Sequence, residues 1–161
     1  MAKPPRDQFV TPTNTYFVTT NAWQGQALFQ SAKLADLLLA TLFDYRDQQK
    51  FGLHEFVLMP NHLHVLLTPG PGVTIERAVQ LFKGGFSYRV GKELCIHYEI
   101  WQRGYVDHRL RDDRDYLHHR DYIRMNPVKA RLVDAPENYR YSSAFPGFKL
   151  DAVPQGLEPI P

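Results

Sequence analysis

The sequence of 161 residues contains a single cysteine, Cys95. A disulfide needs two thiols, and a cysteine-based zinc module needs several, so neither can form within the chain. No apolar run approaches the roughly 18 residues of a membrane-spanning helix, and the start Met1–Arg6 lacks the apolar core of a secretion signal. We therefore expect a cytoplasmic protein with no membrane partner.

A large charge of one sign is also missing, because 19 basic residues face 17 acidic ones and the net charge is +2. This balance does not by itself indicate a nucleic-acid ligand. Residues 101–131 are locally basic, with eight Lys or Arg residues against five acids. A solvated helix face with internal ion pairs would show the same excess. If the cations bind phosphate groups, the candidates are Arg103, Arg111, Arg124 and Lys129.

The pattern of apolar residues predicts one domain at residues 1–145 and a proline-bearing tail at 146–161. A chain of this length buries about 70% of its unfolded surface, which is enough for a stable core. The order strand-helix-strand-strand-helix-strand-helix is typical of an α+β fold with an antiparallel, ferredoxin-like or RRM-like sheet and helices packed on one face. The predicted elements are strand Thr15–Thr20, a helix capped by Ser31, two strands joined at Pro60-Asn61, a helix at Thr74–Leu94 kinked at Gly84-Gly85, strand Tyr105–Leu110 and a helix containing Tyr122.

His62 and His64 lie two positions apart in the second of the paired strands. Side chains alternate between the faces of a strand, so both imidazoles point one way while Leu63 and Val65 point the other. Two imidazoles on one face are suited to binding one metal ion, although two structural histidines would show the same spacing. The pattern predicts two of the ligands of a metal site and leaves the third open.

The helix containing Tyr122 is predicted to begin at an N-cap, Asp112 or Asp113, and to end near Asn126, because Pro127 follows. Tyr122 and Asn126 are then one turn apart on the same helix face. A nucleophile and a metal ligand would share that face. The structural alternatives are a core tyrosine and a helix C-cap.

Three blocks of sequence resemble the HUH single-tyrosine transposases, and most closely their REP-associated branch. They are Met59–His64, the stretch from Trp101 to Arg111, and Asp121–Ala130, with Tyr141-Ser142-Ser143 as a weaker fourth. The similarity runs from about residue 14 to residue 145. It implies the HUH endonuclease fold and an IS200-like DNA transposase.

Carried over residue by residue, the resemblance implies that His62, His64 and Asn126 bind Mg²⁺ or Mn²⁺ and that Tyr122 is the catalytic nucleophile. Many insertion-sequence relatives have Gln where this chain has Asn126. The implied reaction cleaves and rejoins single-stranded DNA at REP-like hairpins through a 5′-phosphotyrosine intermediate. The protein is expected to act as a monomer or a homodimer.

Two other functions are compatible with the same residues. In the first, the chain has the same fold but lacks catalysis and only binds hairpin DNA. In the second, it is a metal-dependent phosphodiesterase in which water attacks and Tyr122 is part of the core. A covalent protein–DNA adduct would separate the transposase reaction from both.

Overall fold

A computed structural model describes residues 14–154 and residue 157, and its elements follow the predicted order. Of the prolines in the predicted tails, Pro146 and Pro154 are described, whereas Pro4, Pro5, Pro12, Pro159 and Pro161 lie outside the described residues. The strands and long helices are β1 (Tyr16–Asn21), α1 (Ala32–Asp47), β2 (Phe51–Met59), β3 (His62–Pro69), α2 (Ile75–Leu94), β4 (Val106–Arg109) and α3 (Asp113–Lys129). Three short 3₁₀ helices lie at Trp23–Gly25, Leu28–Gln30 and Pro136–Asn138.

The four strands form one antiparallel sheet in the order β2-β3-β1-β4. This is the strand order of a ferredoxin-like βαββαβ unit, so the predicted α+β class is confirmed. The register places Thr19 of β1 opposite His64 of β3. On its other side β1 pairs with β4, where Phe17 is opposite His108.

The two faces of the sheet carry different helices. Val18, Leu63 and Val65 contribute to a large core together with buried residues of α1 and α2. Leu66 and Val57 point to the opposite face and pack with residues of α3. We expected all helices on one face, and α3 is the exception. Strand alternation accounts for this position of α3, because the side chains of His64 and Leu63 lie on opposite faces of the sheet. Only a helix on the face of His64 can contact that side chain.

Helix α2 runs without interruption through Gly84 and Gly85, so the kink predicted there is not a break in the helix. Gly84 is exposed, and an added Cβ would meet nothing within 4 Å. A Cβ on Gly85 would instead lie 2.8 Å from Cε2 of Tyr45 in α1 and closer still to its hydroxyl. The lack of a side chain at Gly85 therefore allows α1 and α2 to pack closely together.

This difference makes the two glycines a matched pair for substitution. We expect Gly84→Ala to raise the free energy of unfolding by about 1 kcal/mol, the usual gain over glycine inside a helix. Gly85→Ala should lower it by about 1–2 kcal/mol, because the new methyl group overpacks against Tyr45. Urea denaturation of both variants would measure the difference. Equal stabilisation by both would show that Tyr45 moves aside freely.

Helix α3 continues through Pro127 to Lys129, so the prediction that it ends near Asn126 is wrong. Proline removes one backbone donor, but position 127 is in the last turn, where a single hydrogen bond is lost. The ring of Pro127 is buried, and the amide of Ala130 still donates to the carbonyl of Asn126 at 3.0 Å. Burial of the ring offsets the cost, so Asn126 remains inside the helix.

The segment after α3 runs along the edge of β2 that is not paired with β3. The amides of Leu58 and Ser143 donate to the carbonyls of Tyr141 and Phe56. Phe148 packs on the main core, and the Asp151 carboxylate accepts from the Leu53 amide at 2.7 Å. These contacts continue past the predicted domain boundary at residue 145. None of the helices in the described residues has the length and hydrophobicity needed to cross a membrane.

Candidate functional site

His62 and His64 lie at the start of β3, directly after the tight connection Pro60-Asn61. Their rings are 4.7 Å apart between centroids and nearly perpendicular. Both project from the face of the sheet that α3 covers, as the alternation of the strand predicts. The two imidazoles are therefore neighbours in the folded structure.

His64 is 5% exposed, and its two ring nitrogens have different surroundings. Nδ1 is 2.8 Å from the hydroxyl of Thr19 on β1. Nε2 is buried and has no hydrogen-bond partner among the described residues. Burial, together with the adjacent His62, lowers the pKa of His64 to about 3. The ring is therefore neutral at pH 7, and the Nε2 lone pair is available to a ligand when Nδ1 carries the proton.

His62 has an equivalent arrangement on its Nδ1 side. That nitrogen is 2.6 Å from Oδ1 of Asn61, an acceptor that fixes the proton on Nδ1. Burial also lowers the pKa of His62. The unprotonated Nε2 atom of His62 can thus donate its lone pair to a metal ion, and its ring centroid is 4.7 Å from that of His64. Nε2 of His64 is a buried hydrogen-bond acceptor without a partner among the described residues. Such an atom lowers the stability of the fold by about 1–3 kcal/mol, and a bound cation would remove this cost.

Tyr122 lies on α3, above the histidine pair. Its ring centroid is 5.3 Å from that of His64 in an edge-on arrangement. The side chain is 43% exposed, so its hydroxyl is not enclosed in the core. The structural alternative, a core tyrosine, does not describe this residue. A phenol at the surface beside two neutral imidazoles can be reached by a large substrate.

Asn126 follows Tyr122 by one turn of α3, and its side chain is half-buried. Within the described part of the chain its side-chain amide has no hydrogen-bond partner. Residues at this spacing are neighbours on one helix face, so the amide oxygen lies on the same side of α3 as Tyr122. Two imidazoles and one amide oxygen form a neutral donor set, which suits a divalent cation.

Phe17 and Thr19 belong to the site although their sequence pattern did not identify them. Phe17 stacks on His64 with 5.2 Å between ring centroids and meets Tyr122 edge-on at 6.0 Å. Both residues fall in the predicted first strand, where an alternating pattern shows that they share a face. The pattern could not show that β3 pairs with this strand in the observed register.

Arg124, a candidate phosphate contact, is 40% exposed and forms an ion pair with the buried carboxylate of Glu55. Its Nη2 is 2.6 Å from Oε1 of Glu55, and its Nε is 3.4 Å from Oε2. The hydroxyl of Ser143 donates to the same carboxylate, which is 4% exposed. The ion pair joins α3 to β2 and gives Ser143, in the weakest of the sequence blocks, a structural role.

The other three candidate cations are exposed. Arg103 lies on the loop before β4, Arg111 precedes α3 and Lys129 ends it. The loop is held from α2 by Lys83, whose ammonium group donates to the carbonyls of Gln102 and Gly104 at 3.2 and 2.7 Å. Trp101, before this loop, is 8% exposed and packs in the core.

Comparison with known proteins gives concordant results. The family model described as "Transposase IS200 like" matches residues 16–126. The chain is 29% identical over 147 residues to a REP-associated tyrosine transposase of Escherichia coli (strain K12), across 91% of this chain and 82% of that protein. A solved structure of a REP-associated tyrosine transposase bound to a REP hairpin has a TM-score of 0.71 and 25% identity, over 89% of this chain and 82% of that one.

Proposed function

The chain belongs to the IS200-like transposase family, and we propose that it cleaves and rejoins single-stranded DNA at hairpin sequences with Tyr122 as the nucleophile. One observation carries this proposal. The buried Nε2 atom of His64 has no hydrogen-bond partner among the residues that the structure describes, and the centroid of its ring is 5.3 Å from that of the exposed Tyr122. A buried nitrogen that can bind a cation thus lies beside an exposed phenol.

A divalent metal ion, Mg²⁺ or Mn²⁺, would be held by His62, His64 and Asn126. These residues suit the ion because their donors are neutral, and Nε2 of His64 has no hydrogen-bond partner in the described part of the chain. When bound, the ion would supply positive charge that stabilises the scissile phosphate as charge develops on it. Oδ1 of Asn61 accepts the Nδ1 proton of His62, and the Thr19 hydroxyl can accept the Nδ1 proton of His64, which would leave both Nε2 atoms free.

Tyr122 would attack the phosphorus atom of the scissile phosphodiester. The bond from Oη to phosphorus forms, and the bond from phosphorus to the 3′ oxygen breaks. The phenolic proton passes to water, and the departing 3′ oxygen takes up a proton from water to become a hydroxyl. The 5′ phosphate stays on Tyr122, so its ester energy is retained and a second 3′ hydroxyl can reverse the step. Phe17 supports the ring of Tyr122 from the side.

The substrate would be single-stranded DNA with palindromic segments that fold into hairpins, as in the REP-bound relative. Arg103, Arg111 and Lys129 are exposed cations near the start of β4 and at the two ends of α3, and they would contact phosphate groups. Such contacts position the backbone of the DNA and do not read its sequence. We place the reaction in the cytoplasm, with the protein acting as a monomer or a homodimer.

A denaturing gel tests this proposal directly. The purified protein is incubated with Mn²⁺ and labelled oligonucleotides copied from repeats that flank its gene, with and without EDTA. We expect a labelled band at the mass of protein plus DNA fragment, and its loss with EDTA. Cleavage without an adduct would indicate water as the nucleophile. Hairpin binding with neither cleavage nor adduct would indicate a DNA-binding protein that lacks catalysis.

A further inference from the structure

A second group of potential metal ligands lies apart from the histidine pair, where β4 meets the beginning of α3. It consists of His108 on β4 and of Asp115 and His119 on α3, each offering one donor atom, all within 4.8 Å of one another. Nε2 of His108 is 2.8 Å from Oδ2 of Asp115, and Nδ1 of His119 is 3.2 Å from Oδ1 and 2.8 Å from the backbone carbonyl oxygen of the same aspartate. The proposed reaction uses none of these three side chains.

The three side chains are held in place by their neighbours. The Asp115 amide donates to the N-cap carboxylate of Asp112 at 2.8 Å, and the Arg111 amide donates to the Asp115 carboxylate at 3.0 Å. The rings of His108 and His119 stack with 5.0 Å between centroids. A ligand set that is already ordered loses little conformational entropy when it binds an ion.

The surroundings also allow an ion to enter and keep Asp115 charged. Asp115 and His119 are largely buried, whereas the side chain of His108 is 43% exposed and opens the cluster to solvent. Burial raises the pKa of Asp115, but the hydrogen bonds from His108 and the Arg111 amide outweigh it and lower the pKa overall. The Arg111 guanidinium is 3.9 Å from the carboxylate and opposes a cation, yet it is mostly exposed and can turn into water.

We propose that His108, Asp115 and His119 form a second metal site, selective for Zn²⁺ or a similar transition-metal ion. Two imidazoles and one carboxylate are the donor types that zinc accepts, with water in the fourth position. Mg²⁺ prefers oxygen donors and retains its own waters, so it should not compete. Asp115 and His119 are one helical turn apart, and His108 comes from another element.

A bound ion would attach the edge strand β4 to the helix that carries Tyr122. His119 is three residues before Tyr122 and packs against Phe17 with 4.7 Å between ring centroids. Phe17 in turn contacts both His64 and Tyr122. The site would therefore stabilise the packing of α3 without donating a ligand to the histidine pair. This role does not depend on the proposed reaction.

The test is Zn²⁺ stoichiometry, measured by isothermal titration on the full chain with His62→Ala and His64→Ala already introduced. We expect about one equivalent to bind, to remain in excess Mg²⁺ and to raise the melting temperature. Adding His119→Gln or His108→Gln should abolish this equivalent. His118→Gln is the matched control, because His118 is an exposed neighbour outside the cluster, and it should have no effect.

Two results would overturn the proposal. If the His62→Ala, His64→Ala protein binds no Zn²⁺, the cluster only connects β4 to α3 by hydrogen bonds and is not a metal site. If Zn²⁺ binds equally with and without His108 and His119, the ion occupies another place. Melting temperatures recorded without metal identify any variant that fails to fold. His108→Gln and His119→Gln change different elements, so loss of Zn²⁺ binding in both variants would not come from damage to one element.

Discussion

Tyr122→Phe is expected to reduce the covalent protein–DNA adduct to background while leaving metal and hairpin binding intact. The substitution removes only the hydroxyl that would attack phosphorus. The ring keeps its edge-on contacts with His64 and Phe17, and the side chain is partly exposed, so the fold should not change. The adduct is measured on a denaturing gel, and Mn²⁺ binding is measured by titration.

Tyr98→Phe provides the matched control, because Tyr98 is also an exposed tyrosine, in the segment between α2 and β4. It should form the adduct at the wild-type level. If Tyr122→Phe still cuts DNA at the wild-type rate, water is the nucleophile and the tyrosine mechanism fails. If it loses Mn²⁺ binding as well as the adduct, the defect is in the site as a whole and not in the nucleophile.

Arg124→Ala is expected to lower the free energy of unfolding by about 3 kcal/mol, because it leaves the buried carboxylate of Glu55 without its ion-pair partner. This is the lower end of the range for breaking a buried pair. Arg124 is 40% exposed, so water can partly replace it. The Ser143 hydroxyl still donates to Glu55 but carries no charge to balance it. Chemical denaturation would measure the change.

Arg120→Ala is the control for removing an arginine from the same helix. Arg120 pairs with Asp121 at the surface, at 3.3 Å, and such pairs contribute about 0–1 kcal/mol. A double-mutant cycle with Glu55→Gln and Arg124→Gln should show that the double variant is more stable than the sum of the single changes predicts. A stable Arg124→Ala protein with weakened DNA binding would instead make Arg124 the phosphate contact first considered.

Short-range features of this protein were determined by the sequence alone. The alternation of side chains along a strand predicted that His62 and His64 share one face, and in the structure their ring centroids are 4.7 Å apart. An N-cap at Asp112 or Asp113, of which the structure has Asp112, and the one-turn spacing of Tyr122 and Asn126 follow from helix geometry, which depends on residues three or four positions away. These rules operate within one element, so the residues of that element suffice to apply them.

Long-range features were decided only by the tertiary structure. The partner of Arg124 is Glu55, 69 positions earlier, and nothing near Arg124 in the sequence points to it. The face on which α3 packs and the register that brings Thr19 to His64 depend on how separate elements dock. Burial of Pro127 likewise overrides the local tendency of α3 to end at Asn126. Local backbone geometry is set by neighbouring residues, whereas burial and ion pairing depend on residues that only the fold brings together.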